Sequence, residues 1–266
     1  TTTWMAARVA EPTLLGHADP APFTVHNAHG ASPFVLIADH AGQQIPRQLG
    51  DLGLAQAQRD RHIGWDIGIA AVTERLAGLL DACAILQTYS RLVIDCNRPL
   101  DAASSIVSHS DGTRIPGNQE VPQAQRTARA LEIFAPYHAR ITQELDRRSL
   151  APMPPVLIAM HSFTPEFAGN ARPWHAGVLY HRDARLAHAM LAALRAEPGL
   201  VVGDNQPYAV TEGSDFAVPV HGEQRGLLHV ELEIRQDLIA DAPGQAQWAQ
   251  RLARLLPGLL PGLVRD

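Results

Sequence analysis

Two stretches of this sequence, Phe34–Ala38 and Val156–Met160, are apolar at every position rather than at alternate ones. A strand with one wet face alternates, so an unbroken run of this length belongs to a strand covered on both faces. Further β-rich segments occupy Ala82–Thr88, Arg91–Asp95, His175–Tyr180 and Leu227–Ile234, and the short apolar stretch Leu200–Val202 runs into Gly203-Asp204-Asn205. Between them lie stretches with apolar residues at three- and four-residue spacing. Ile67, Ala70, Ala71, Leu76, Leu79 and Leu80 follow the capping-type residue Asp66, and Val121–Arg148, Ala184–Ala196 and Gln245–Leu256 read as further helices. Pro136 should kink or split the helix over Val121–Arg148. Residues 100–120, with Asp111-Gly112 and Pro116-Gly117, predict a long loop. Strands alternating with helices predict a three-layer α/β fold, a mostly parallel mixed sheet with helices on both faces. The expected organisation is one domain over residues 1–266, with 1–32 as an irregular N-terminal segment.

Composition narrows the function. A chain of 266 residues with 46% hydrophobic and 18% charged side chains can bury a large core and is not disordered. Its longest apolar runs fall far short of the roughly 20 residues of a membrane span, and no membrane partner is expected. Thr1-Thr2-Thr3-Trp4-Met5 lacks the basic and apolar pattern of a secretory signal, which makes the cytoplasm the expected compartment. A net charge of −5, a pI near 6.2 and the lack of a basic run predict no nucleic-acid partner. Cys83 and Cys96 sit in apolar surroundings without CxxC spacing and are expected to be buried hydrophobes. Oligomeric state is open at this stage.

All 22 cationic side chains are arginines. That excludes Schiff-base chemistry, a phosphate-loop lysine and a Ser–Lys dyad. With 13 histidines available, metal or general-base chemistry leads. In open α/β sheets the site gathers outside the carboxyl ends of the strands, and three predicted strands carry His40, His161 and Glu233 at or near that end. Each alone could be a hydrogen-bonded structural residue. A second motif, Ser90-Arg91-Leu92-Val93-Ile94-Asp95-Cys96-Asn97-Arg98-Pro99, brackets an Asp and an Asn between two arginines. Two guanidinium groups near a sheet end can dock a carboxylate and stabilise an oxyanion. An ion pair of Asp95 with one arginine would still leave the other to be explained.

Seven motifs then occur in order: Phe34–Gly42 with its Asp-His-Ala-Gly, Asp60–Gly68, Ser90–Pro99, Met160-His161-Ser162-Phe163, Asp204–Tyr208, His221–Gly226 and Glu231–Asp237. Together they resemble the N-formylglutamate amidohydrolase family. That family is similar in fold to the zinc carboxypeptidases and aspartoacylases, which implies a phosphorylase/hydrolase-like sheet and one Zn²⁺ held by two histidines and a carboxylate. The resemblance implies His40 and His161 as metal ligands, Glu233 as general base, Arg91 as oxyanion partner, and Asn97 and Arg98 as the grip on a substrate carboxylate. It departs at one point: the relatives' carboxylate ligand stands three residues after the first histidine, where this chain has Gln43. The third ligand is therefore expected elsewhere, at Asp66, which could equally cap its helix, with His62 and Asp60 as alternatives. His221, in a Gly-flanked loop, is expected to touch the substrate.

The expected activity is zinc-dependent cleavage of the amide of an N-formyl or other N-acyl amino acid such as N-formylglutamate. The expected partner is thus a small molecule. A metal-dependent phosphoesterase would need a second metal site with more Asp ligands. A non-catalytic carboxylate-binding domain would keep the arginines without the base.

Overall fold

The unbroken apolar runs form the centre of a seven-stranded sheet in the computed structural model, which describes residues 13–263. The strands are β1 (Phe23–His26), β2 (Phe34–Ala38), β3 (Cys83–Gln87), β4 (Val156–Phe163), β5 (Ala176–Leu179), β6 (Val202–Asp204) and β7 (His229–Arg235). Their order across the sheet is β1-β3-β2-β4-β7-β5-β6. The four central strands β3, β2, β4 and β7 are mutually parallel. β5 and β6 run together against β7, and β1 runs against β3.

Every residue of β2, β3 and β4 is buried, and the two-residue period deals their side chains alternately into two cores. Leu36, Ala38, Ile158, Met160, Val230 and Leu232 pack in one core with helices α1 (Ile69–Leu80), α4 (Arg185–Arg195) and α5 (Ala242–Leu259). Val35, Ile37, Leu157 and Ala159 pack in the other, beneath the helical segments α2 (Gln123–Arg129) and α3 (Ala135–Arg148). This is the expected three-layer α/β arrangement.

Three local expectations change and a fourth takes a definite form. Residues 1–12 lie outside the described residues, but the later part of the supposedly irregular segment supplies edge strand β1. Arg91–Asp95 is a series of turns, not a strand. Its apolar residues do enter the second core, but Ser90 and Asp95 side chains accept hydrogen bonds from the backbone N–H groups of Leu92 and Asn97, and such local bonds compete with a ladder. The break expected at Pro136 takes the form of a π-helical turn over Ala130–Phe134, which joins α2 to α3 just before it. That wider turn accommodates a ring with no N–H to donate. Lastly, α1 begins behind Gly68 (φ 82°), where a Cβ would meet the Ile239 carbonyl oxygen at 2.1 Å. Asp66 does not cap it.

One buried ion cluster joins the layers. Glu144 of α3 receives Arg140, Arg147 and Arg148, and Arg148 also donates to the carbonyl oxygens of Gly30 and Ser32 ahead of β2. Burial opposes charge on Glu144, yet the three guanidinium groups outweigh it and hold the carboxyl down to about 2. A depressed acid stabilises the fold above its ordinary pKa of 4.5, and that stability is lost as pH falls through 4.5 toward about 2. Denaturant unfolding should show Glu144→Gln less stable by roughly 1.5–3 kcal/mol at neutral pH, because the three guanidinium groups lose their charged acceptor. The difference from wild type should shrink as acid is added; a constant difference would contradict the assignment.

Candidate active site

The row of side chains facing the second core turns polar where the parallel strands end. Leu157 and Ala159 of β4 are followed on the same face by His161, and His229 of β7 by Glu231 and Glu233. Glu233 pairs in register with His161. β2 ends at Ala38, so Asp39 and His40 emerge beside them. The backbone N–H of Asp66 donates to the His40 carbonyl at 2.9 Å, fixing the loop before α1 against the end of β2.

His40, Asp66 and His161 converge there, all buried, with candidate ligand atoms within 4.8 Å of one another. Asp66 Oδ2 lies 3.5 Å from His40 Nδ1 and 3.0 Å from His161 Nδ1. Tetrahedral zinc with bonds of about 2.0–2.1 Å spaces its ligands roughly 3.3 Å apart, so these separations match two edges of such a site. Each far nitrogen faces another carboxylate. His40 Nε2 is 2.7 Å from Asp95 Oδ1, while its Nδ1 is buried without a hydrogen-bond partner. His161 Nε2 is 3.3 Å from Asp39 Oδ2. A carboxylate behind each imidazole is the usual support of a ligating histidine. The donor set thus fits a divalent cation such as Zn²⁺.

Burial opposes ionisation of Asp66, but the two imidazoles prevail and hold its carboxyl below the ordinary range. Asp95 is likewise depressed against burial, by Arg91 and His40. On the facing strand burial wins: Glu231 is pushed up to about 7 and Glu233 well above its usual value.

These groups line a cavity of about 330 Å³ whose far wall carries Arg91, Asn97, Arg98, Tyr208 and Asp215. Arg91 donates from Nε (3.1 Å) and Nη2 (2.7 Å) to Asp95 Oδ2, with Nη1 3.7 Å from Asp66 Oδ1. Asn97 Oδ1 accepts the backbone N–H groups of Phe216 and Ala217, each at 3.0 Å. The chain therefore brings together seven of the eight residues singled out from sequence. His221 is the exception. It is buried against His138, their rings 5.2 Å apart and nearly parallel, with 2.9 Å between His221 Nε2 and His138 Nδ1. His138 Nε2–H donates to the Cys96 carbonyl at 2.8 Å, so His221 is the donor to His138, and it does not line the cavity.

Of the alternatives for a third ligand, His62 reaches the cavity wall without joining the cluster, and Asp60 is exposed. Gln43, at the family's ligand position, is also exposed. Sequence reading missed Asp39 and Asp95 as supports of the histidines, although each lies in a motif already noted. It also missed Asp215, whose contacts with Asn97 and Arg98 cross more than a hundred residues of chain and leave no periodic trace.

A sheet of this topology, with a buried His/Asp/His cluster and paired arginines at its carboxyl edge, has the layout of an α/β amidohydrolase. The model of the N-formylglutamate amidohydrolase family matches residues 32–240, and the chain belongs to that family. Among solved structures, a gene product of Agrobacterium tumefaciens is 35% identical with a TM-score of 0.90, covering 94% of this chain and 99% of its own. An N-formylglutamate amidohydrolase of Ralstonia eutropha JMP134 shares the fold at 20% identity and a TM-score of 0.72, covering 92% of this chain and 100% of its own. No curated protein gives a significant match to the sequence.

The supporting carboxylates make a direct test. Asp95→Asn and Asp39→Asn should each weaken zinc binding by about 10- to 100-fold in competition with a chromophoric chelator, and His40→Ala or His161→Ala should abolish stoichiometric binding. Full zinc content in the histidine variants would refute the site.

Proposed function

We propose that the protein is a zinc-dependent amidohydrolase that cleaves the amide of an N-formyl or other N-acyl amino acid, as one catalytic domain acting on a small molecule. The observation that carries this reading is the convergence of His40, Asp66, His161, Glu233 and Arg91 on one cavity in a chain of this family. No described helix is long and apolar enough to cross a membrane. A cytoplasmic location is part of this proposal, and the free thiols Cys83 and Cys96 are compatible with it.

His40 Nδ1, Asp66 and His161 Nδ1 would hold the zinc ion, which supplies Lewis acidity for activating water and polarising the acyl carbonyl. Glu233 has a buried Oε2 with no hydrogen-bond partner, on the wall beside His161. In its ionised form that carboxylate takes the proton of the attacking water and passes it to the departing amine nitrogen. Arg91, held rigid by Asp95, has Nη1 available for the oxygen that becomes negative as the carbonyl is attacked. Asn97 and Arg98 receive the substrate carboxylate. Gripping that group orients the amide toward Glu233.

The test is release of formate from N-formylglutamate by the zinc-loaded protein. Glu233→Gln should keep its zinc and its substrate affinity while kcat falls by roughly 10²–10⁴. Retained activity would pass the role to Glu231, which shares the face one pleat deeper. Truncating Arg98 to Ala should cost about 1.5–3 kcal/mol, mostly as a rise in KM. Truncating Arg91 should instead depress kcat, because its partner charge develops only in the transition state. Identical kinetic defects in the two variants would refute this division.

A further inference from the structure

The pair assigned to the substrate carboxylate already faces a carboxylate of the chain itself. Asp215 lines the cavity, with Oδ1 3.4 Å from Asn97 Nδ2 and 3.5 Å from Arg98 Nη1. A guanidinium and a carboxylate free to approach one another close to about 2.7–2.9 Å. Asp215 is held back by its own loop. Its Oδ2 accepts the backbone N–H of Thr211 at 3.0 Å and the Ser214 hydroxyl at 2.5 Å, while the next two residues are tied through their N–H groups to Asn97 Oδ1.

The result is a contact that is electrostatically felt but geometrically incomplete. Arg98 Nη1 donates at 2.9 Å to the carbonyl of Asn97, whereas its Nε and Nη2 make no hydrogen bond among the described residues. The guanidinium of this cavity-lining residue therefore keeps an edge without a protein acceptor among the described residues. A ligand carboxylate can occupy that edge without displacing Asp215, but it then shares the cation with a second negative charge only a few ångströms away.

We propose that Asp215 is a specificity-determining residue, a built-in competing carboxylate that weakens the Asn97–Arg98 grip on acids relative to their uncharged amides. This rests on the assignment of Asn97 and Arg98 to the substrate carboxylate. Its consequence is selectivity by geometry: only a carboxylate that lies flat on the free edge of Arg98 gains enough to offset the repulsion. At an effective dielectric constant of about 20, a like charge roughly 6 Å away weakens binding by about 10- to 100-fold.

The experiment uses Asp215→Asn, whose amide oxygen can still accept from Thr211 and Ser214, with Asp215→Ala as a second variant. Binding of N-formylglutamate and of its diamide is measured by calorimetry on the zinc-loaded protein in a Glu233→Gln background, where turnover does not interfere. Acid affinity should rise about tenfold or more in both Asp215 variants, while diamide affinity changes by less than about threefold, so the acid-to-diamide ratio rises. An unchanged or lower ratio would overturn the proposal and make Asp215 a residue that merely positions Arg98. Failure of the Glu233-intact protein to release formate would instead count against the amidohydrolase reading, and the binding ratio would still decide the role of Asp215.

Discussion

The buried carboxylate of Asp66 is the contact on which the rest of the site depends. It meets His40 Nδ1 at 3.5 Å, His161 Nδ1 at 3.0 Å, the Ser162 backbone N–H at 3.1 Å and Arg91 Nη1 at 3.7 Å. A charge taken out of water is tolerated only when such partners replace the solvent. Because those partners come from the end of β2, the end of β4 and the 91–98 turn, one side chain fixes three separate pieces of chain. The loop carrying Asp66 is held in turn by its backbone bond to His40.

Around that centre the structure repeats one device, a carboxylate behind each group that must be aimed. Asp95 serves twice, receiving His40 through one oxygen and Arg91 through the other. Asp39 stands behind His161, and its own oxygens have no hydrogen-bond partner. Beneath them, burial pushes His138 down to about 4 and His221 down to about 3, so that pair is neutral near pH 7. A neutral pair can be packed without a counter-ion, and through His138 it steadies the Cys96 carbonyl next to Asn97.

The cavity walls differ in how they are made. On the strand side, position follows from the pleat: His161, Glu231 and Glu233 continue an apolar row, and their spacing cannot drift without exposing the core. On the arginine side, position follows from turns and from the 205–217 loop, held by side-chain hydrogen bonds to backbone. Specificity is easier to vary on such a wall, since loops change without disturbing the sheet.

The layered α/β architecture was legible in the sequence, because apolar runs without alternation can be buried only between two helical layers. So were His40, His161 and Glu233, which interrupt those runs where a sheet gathers its site, and the two arginines. Arg91–Asp95 was not legible as a turn, since its apolar residues are buried like those of a strand and only Ser90 and Asp95 take their backbone bonds elsewhere. Whether Asp66 capped a helix or turned toward the histidines was undecided for a similar reason: both choices start from the same residue, and only docking of its loop on β2 selects one. The burial of His221 against His138, and the approach of Asp215 to Arg98, were decided by tertiary structure alone. Each depends on segments far apart in the chain meeting in space, and no local spacing records that.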